Sequence, residues 1–106
     1  MYTKTQVTLT MRDQQNQQMD CLLAPCGLCI HKSDVINRFK VSHFASGLSV
    51  TPGIGFQRQR QAKAFVEQLT ELTDWTQPAA EITRKLSKDT TQRIRNIMDH
   101  IMSGHE

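Results

Sequence analysis

The chain has 106 residues, a length typical of one domain with a single hydrophobic core. Hydrophobic residues make up 38% of the chain and charged residues 22%, a composition that excludes an intrinsically disordered protein. The net charge of +3 excludes a dedicated polycation, so an anion-binding surface has to come from the local placement of charges.

The sequence has no feature that indicates a secreted or membrane protein. Its amino terminus is polar and rich in threonine, and its longest apolar run, residues 21–30, is interrupted by Pro25 and too short to span a bilayer. The three cysteines, an odd number, favour reduced thiols over a complete disulfide framework. We therefore expect a cytoplasmic protein without membrane contact.

The first half of the chain predicts antiparallel strands. Residues 3–11 alternate between apolar and polar side chains, which is the pattern of a half-buried strand, and the polar stretch 13–18 follows as a hairpin loop. Proline, glycine and polar turn residues then separate the remaining apolar segments. Further strands are predicted at residues 19–24, 28–32 and 38–44, with a short fifth strand at 48–51.

A helix is predicted between residues 57 and 75. Gly53 and Gly55 precede this segment as turn signals, and Pro78 after it prevents simple continuation of the helix. Apolar residues recur at the spacing of one helix face. That face consists of Ala62, Phe65, Val66, Leu69 and Leu72.

The segment 78–102 allows two interpretations. We favour one long helix, with a kink near residues 87–89, because a stripe of apolar residues stays on one face. Alternatively, Asp89 and Gln92 form a capping box and start a separate helix. The apolar stripe consists of Ile82, Leu86, Ile94, Ile97 and Ile101.

These patterns predict one α+β domain over residues 1–106. An antiparallel β-meander of about four to five strands occupies residues 1–52. Two or three C-terminal helices follow in residues 57–104 and pack on one face of the sheet. We expect one shared core that contains Val7, Leu9, Phe39, Val41, Phe65 and Leu69.

The charges of the first predicted helix run against its dipole. Arg58, Arg60 and Lys63 lie at its amino end, whereas the acids Glu67 and Glu71 lie towards its carboxyl end. Each favourably placed charge contributes about 0.3–1 kcal/mol, so this order forgoes stability. Free N–H groups and cations together favour an anion, and the sequence therefore predicts a phosphate-binding site there.

A second basic surface is predicted on the C-terminal helix. On one continuous helix, Arg84, Lys88 and Arg95 form a stripe opposite the apolar face, and such a stripe binds phosphate without reading bases. A DNA-reading helix-turn-helix fits poorly, because the turn lacks glycine and Ile94 falls late. The simpler interpretation of both basic surfaces is a solvated helix face.

The cysteines and one histidine form a weak candidate metal set. Cys26 and Cys29 have the spacing of a zinc knuckle, but the further ligand spacing is wrong. We favour buried or half-buried thiols and a surface imidazole instead, and expect no bound metal. In the predicted hairpin, Cys29 and His31 point away from His43. The complete candidate set is Cys21, Cys26, Cys29 and His31.

The function expected from the sequence is binding without catalysis. No nucleophile elbow, P-loop or paired carboxylates are present, so we predict neither catalytic residues nor a cofactor. The first hypothesis is a regulatory protein that binds nucleic acid or another polyanion. The alternatives are a protein-binding inhibitor or adaptor that docks through a sheet edge or the C-terminal helix, and a zinc-stabilised module. The apolar arc near the end of the chain packs either on the sheet or on a second copy, and we favour a homodimer through Ile94, Ile97, Met98, Ile101 and Met102.

Overall fold

A computed structural model describes residues 2–10, 16–32, 38–47, 49–51, 55–72, 75–76 and 88–103. In this part of the chain, the strands form one antiparallel sheet with the order β1-β2-β3-β4, so the predicted meander and the α+β class are confirmed. The strands are β1 (Thr3–Thr10), β2 (Asn16–Leu23), β3 (Leu28–Lys32) and β4 (Phe39–His43), and the helices are α1 (Gln59–Thr70) and α2 (Lys88–Met102).

Two strand predictions differ from the structure. β2 begins at Asn16 rather than after residue 18, because backbone pairing with β1 continues to the Thr10–Asn16 pair despite the weak strand propensity of Asn and Gln. The predicted fifth strand is reduced to an isolated bridge between Ser49 and Ser42. The N–H groups of residues 50 and 51 both donate to the Val41 carbonyl, so this segment turns at β4 instead of running along it.

The register of the sheet separates two faces. Ile30 lies opposite Val41, on the face that contacts α1, which we call the helix face. Cys29 lies opposite Ser42, on the other face, which we call the distal face. Leu28 pairs with His43, so Cys29 and His31 do lie away from His43, as predicted.

The single shared core predicted from the sequence is wrong, because apolar side chains cluster on both faces. Val41, Phe65 and Leu69 belong to the main cluster on the helix face, and half-buried Phe39 packs against it. Val7 and Leu9 belong instead to a distal cluster, since Val7 lies opposite Met19 and thus shares a face with Cys21 and Cys29. The distal cluster consists of Val7, Leu9, Cys21 and Cys29.

Helix α1 buries the predicted stripe but ends earlier than predicted. Ala62, Phe65, Val66 and Leu69 are buried, whereas the helix stops at Thr70 instead of continuing to residue 75. Trp75, with 1% of its surface exposed, packs into the main cluster instead of continuing the helix. Its indole N–H donates at 2.7 Å to the Leu69 carbonyl near the end of the helix, which also accepts from the Leu72 N–H at 3.0 Å.

Helix α2 packs against α1 and uses most of the predicted dimer surface for this purpose. Ile94, Met98 and Ile101 are buried in the main cluster, Ile97 is half-buried, and Met102 remains 47% exposed. The apolar arc that motivated a homodimer is therefore largely covered by the chain itself. The homodimer remains a prediction, but the exposed apolar surface that suggested it is smaller than expected.

The start of the C-terminal helix is settled only in part. The described helix begins at Lys88, one residue before Asp89, so it is compatible both with one long helix and with a separate helix that starts near Asp89. The predictions for Pro78, Ile82 and Leu86 fall on residues 77–87, outside the described part of the chain. Whether one helix spans residues 78–102 stays a prediction.

Candidate nucleic-acid interface

The amino end of α1 has the unusual charge order predicted from the sequence. Arg58 is the exposed N-cap residue, with extended backbone angles, and its backbone N–H donates to Gln61 Oε1 at 3.1 Å. A guanidinium has no acceptor atom, so Arg58 cannot cap the first N–H groups with its side chain. The first turn contains no acid and the last turn contains no base.

The three basic residues predicted for this site differ in their exposure and contacts. Arg58 and Arg60 are both exposed at the amino end of α1. Lys63 is half-buried, and its Nζ lies 5.1 Å from the centroid of the Tyr2 ring in a cation–π contact. Burial and the nearby carboxylate of Glu67 raise the pKa of Tyr2, so the phenol remains protonated beside the ammonium. Lys63 thus lies against Tyr2 and is less exposed than Arg58 and Arg60.

The structure brings two further basic residues to the amino end of α1. Phe39 and Phe56 form an isolated bridge in which each N–H donates to the other carbonyl at 2.7 Å. This bridge places Arg38, which precedes Phe39, beside the chain that leads into α1. Lys32 pairs with Phe39, and its Nζ lies 5.8 Å from the ring centroid. We define the basic end as Lys32, Arg38, Arg58 and Arg60.

Sequence reasoning found only half of the basic end. The predicted pairing of strands 28–32 and 38–44 was sufficient to place Lys32 opposite Phe39. The bridge to Phe56 gave no sequence signal, because it joins segments that no turn or periodic pattern connects.

A notch lies beside the basic end, where the two β-hairpins separate. β2 pairs with β3 only over residues 21–23, whereas the β1–β2 ladder continues to Asn16 and the β3–β4 ladder to Lys32. The separation leaves a cavity of about 470 Å³. Leu22, Ile30 and Phe39 give this notch apolar walls, and Lys4, Gln6, Asp20 and Gln59 contribute polar groups.

The basic stripe predicted on α2 is described only in part. Arg95 is exposed on this helix, as is Arg93, which borders a groove between α1 and α2 beside Glu71. Lys88 belongs to the helix, but its side chain is outside the described structure, and so is all of Arg84. The structure therefore does not test whether these residues form one surface.

The buried thiols of the distal cluster are poorly suited to nucleophilic attack or metal binding. Cys21 and Cys29 are hydrogen-bonded to each other, and burial is the main reason that the pKa of each thiol is raised, for Cys29 to about 12. Both thiols are therefore protonated at neutral pH, whereas the thiolate is the form that attacks substrates and binds metals. Cys26 is half-buried in the turn between β2 and β3.

The prediction that His31 is a surface imidazole is wrong. Its side chain is 6% exposed, its Nδ1 lies 3.2 Å from the Lys32 carbonyl, and its Nε2 lies 2.8 Å from Ser42 Oγ. Since a carbonyl only accepts, a neutral imidazole donates from Nδ1 to the Lys32 carbonyl and accepts a hydrogen bond from the Ser42 hydroxyl at Nε2. The ring is buried because β3 is an inner strand of the sheet, in which His31 lies between Cys21 of β2 and Lys40 of β4.

The four residues of the candidate zinc set do not form a metal site. Among the described residues, no group of three or more His, Cys, Asp or Glu side chains is placed to hold a metal ion. The set Cys21, Cys26, Cys29 and His31 lies entirely within that part of the chain.

Comparisons with known proteins add no functional information. Neither a protein-family model, nor a curated protein, nor a solved structure matches this chain. Within the described residues, no helix is long and apolar enough to cross a membrane.

Proposed function

We propose that this protein is a non-enzymatic binding protein, with regulation as its role, and that it binds nucleic acid or a similar polyanion through the basic end. The observation that carries the proposal is the convergence of three separate segments, each basic, at the positive end of α1. A protein without such a ligand would gain stability from acids in that first turn. Arginine is suited to phosphate because its planar fork donates two parallel hydrogen bonds.

The charge reversal Arg58→Glu with Arg60→Glu tests this proposal. We expect the double variant to lose nucleic-acid binding at physiological salt, and the slope of log Kd against log salt to fall by roughly 0.7–0.9 for each lost phosphate contact. The fold should be retained and become more stable by about 0.3–1 kcal/mol for each acid, because the new carboxylates complement the dipole. Fluorescence anisotropy measures binding, and urea denaturation measures stability.

A matched control is the double variant Arg93→Glu with Arg95→Glu. It makes the same change of charge on exposed positions of α2, away from the basic end. Binding close to that of the parent is expected from this control. If only the control variant loses binding, the binding site lies on α2. If the Arg58→Glu, Arg60→Glu variant binds as tightly as the parent, or unfolds, the basic end is not the binding site.

A second candidate function is docking of a protein strand on β1. This strand has eight residues and lies at the edge of the sheet, with no described strand on its outer side. The opposite edge, at β4, is partly occupied by residues 49–51 and Phe56. Edge strands are templates for β-augmentation, in which a partner contributes an additional strand and affinity depends little on salt.

Two neighbouring proline variants distinguish this function from polyanion binding. Along an antiparallel edge strand, successive N–H groups point alternately towards β2 and towards solvent. Of Val7→Pro and Thr8→Pro, neither of which lines the notch, one should therefore damage the sheet, and the other should block only the open edge. A folded variant that retains nucleic-acid binding but loses a protein ligand would establish the docking function.

A further inference from the structure

We propose that the notch binds one unpaired base of a single-stranded nucleic acid while the basic end binds the adjoining phosphate. This inference rests on the proposed function, and it adds the class of nucleic acid and the type of base. Gln59 connects the two sites, since it lies between Arg58 and Arg60 in α1 and also borders the notch.

The size and walls of the notch suit a planar ligand with polar edges. Its volume of about 470 Å³ falls within the range usual for small-molecule sites. Leu22, Ile30 and Phe39 offer apolar surface, against which the faces of a base can pack. In a duplex the bases are stacked and paired, so only a single strand can place a base in this space.

The polar groups at the notch determine which base fits. Gln6 Nε2 donates to Asp20 Oδ1 at 3.2 Å, which orients both side chains across the β1–β2 pair. An ionised carboxylate accepts hydrogen bonds but donates none, so Asp20 favours a base with an exocyclic amino group. Cytosine carries such a group at N4, whereas uracil carries a carbonyl oxygen, which the carboxylate repels.

The same carboxylate separates the roles of the two sites. Asp20 is exposed, and its negative charge offsets that of Lys4 at the notch, whereas the four residues that define the basic end are all cationic. The phosphate is therefore expected at the basic end and the base in the notch, as occurs when a protein positions a strand by its backbone and selects it by its bases.

The decisive experiment compares labelled oligo-dC and oligo-dU of equal length by fluorescence anisotropy. The parent protein should bind oligo-dC about 5- to 100-fold more tightly than oligo-dU, the range expected for one good base contact. The variant Asp20→Asn should lose this preference without losing affinity, because its amide also donates to a carbonyl oxygen. Asp99→Asn removes the same charge from an exposed position on α2 and should leave the preference unchanged.

The possible failures of the two proposals are distinguishable. Equal binding of both oligonucleotides by the parent, or equal binding of duplex and single strand, overturns the base site and leaves the basic end to be judged by Arg58→Glu with Arg60→Glu. A preference for oligo-dC that persists in Asp20→Asn also overturns the assignment of the notch. If the parent binds neither oligonucleotide nor duplex, the base site is wrong, and so is nucleic acid as the ligand of the basic end.

Discussion

Gly27 lies in the turn between β2 and β3, at a close approach to the chain that follows α1. Its φ of +102° is unfavourable for any other residue, and an added Cβ would lie 2.4 Å from the Trp75 carbonyl oxygen. We expect Gly27→Ala to destabilise the protein by about 1–3 kcal/mol through backbone strain. The clash of the new Cβ with the Trp75 carbonyl should increase this loss. Thermal denaturation measures this loss, and Ala45→Gly in the exposed turn is the control, expected to cost under about 1 kcal/mol.

The pKa of Cys29 predicts a loss of stability in alkali. Because the folded protein raises this pKa from 9.0 to about 12, the unfolded chain loses the proton first as the pH rises. Stability from this group is complete below about pH 9 and is lost between pH 9 and 12, at about 1.4 kcal/mol per pH unit. Urea titrations at pH 8 and pH 10 should show a larger drop for the parent than for Cys29→Ala. An equal drop in both proteins would contradict the assignment.

At the scale of single elements, α1 depends on its apolar stripe. Leu69 has no exposed surface, and Leu69→Ala should lower the free energy of unfolding by about 2–5 kcal/mol because a cavity replaces the side chain. Its exposed neighbour provides the control, since Gln68→Ala should change stability by less than about 0.5 kcal/mol. Equal effects of the two substitutions in urea denaturation would show that the helix face is assigned wrongly.

The elements that sequence analysis predicted well are those with local causes. β3 matches its predicted range of 28–32 because turn residues bound it on both sides, and the α1 stripe follows from helical spacing alone. The end of α1 was misjudged because its cause, the packing of Trp75, is a tertiary contact. Alternation in β1 showed that Val7 is buried, but a period of two cannot tell which face of the sheet receives it.

The candidate site shows the same limit. Arg58 and Arg60 were found because they are adjacent in sequence and contradict a known helix preference. Lys32 and Arg38 join them only through the Phe39–Phe56 bridge, and the notch depends on where the β2–β3 ladder stops. Both are non-local features that a single sequence does not encode in any periodic pattern.

At the scale of the whole molecule, the two apolar clusters predict independent effects of mutation. Val7 lies in the distal cluster and Leu69 in the main cluster, so their substitutions share no direct partner. The double variant Val7→Ala with Leu69→Ala should lose the sum of the two single losses to within about 0.5 kcal/mol. A coupling of more than about 1 kcal/mol in urea denaturation would instead support the single core that the sequence suggested.

The placement of the sheet edges limits how copies of this protein can assemble through their backbones. The described chain keeps β4 in contact with residues 49–51 and Phe56, and leaves the outer side of β1 without a described strand. A sheet with two open edges can add molecules on both sides and grow into a fibre, whereas a sheet with one open edge can pair with only one further strand. Backbone pairing through β1 can therefore join this protein to one partner protein or to one second copy, but it does not extend into a fibre.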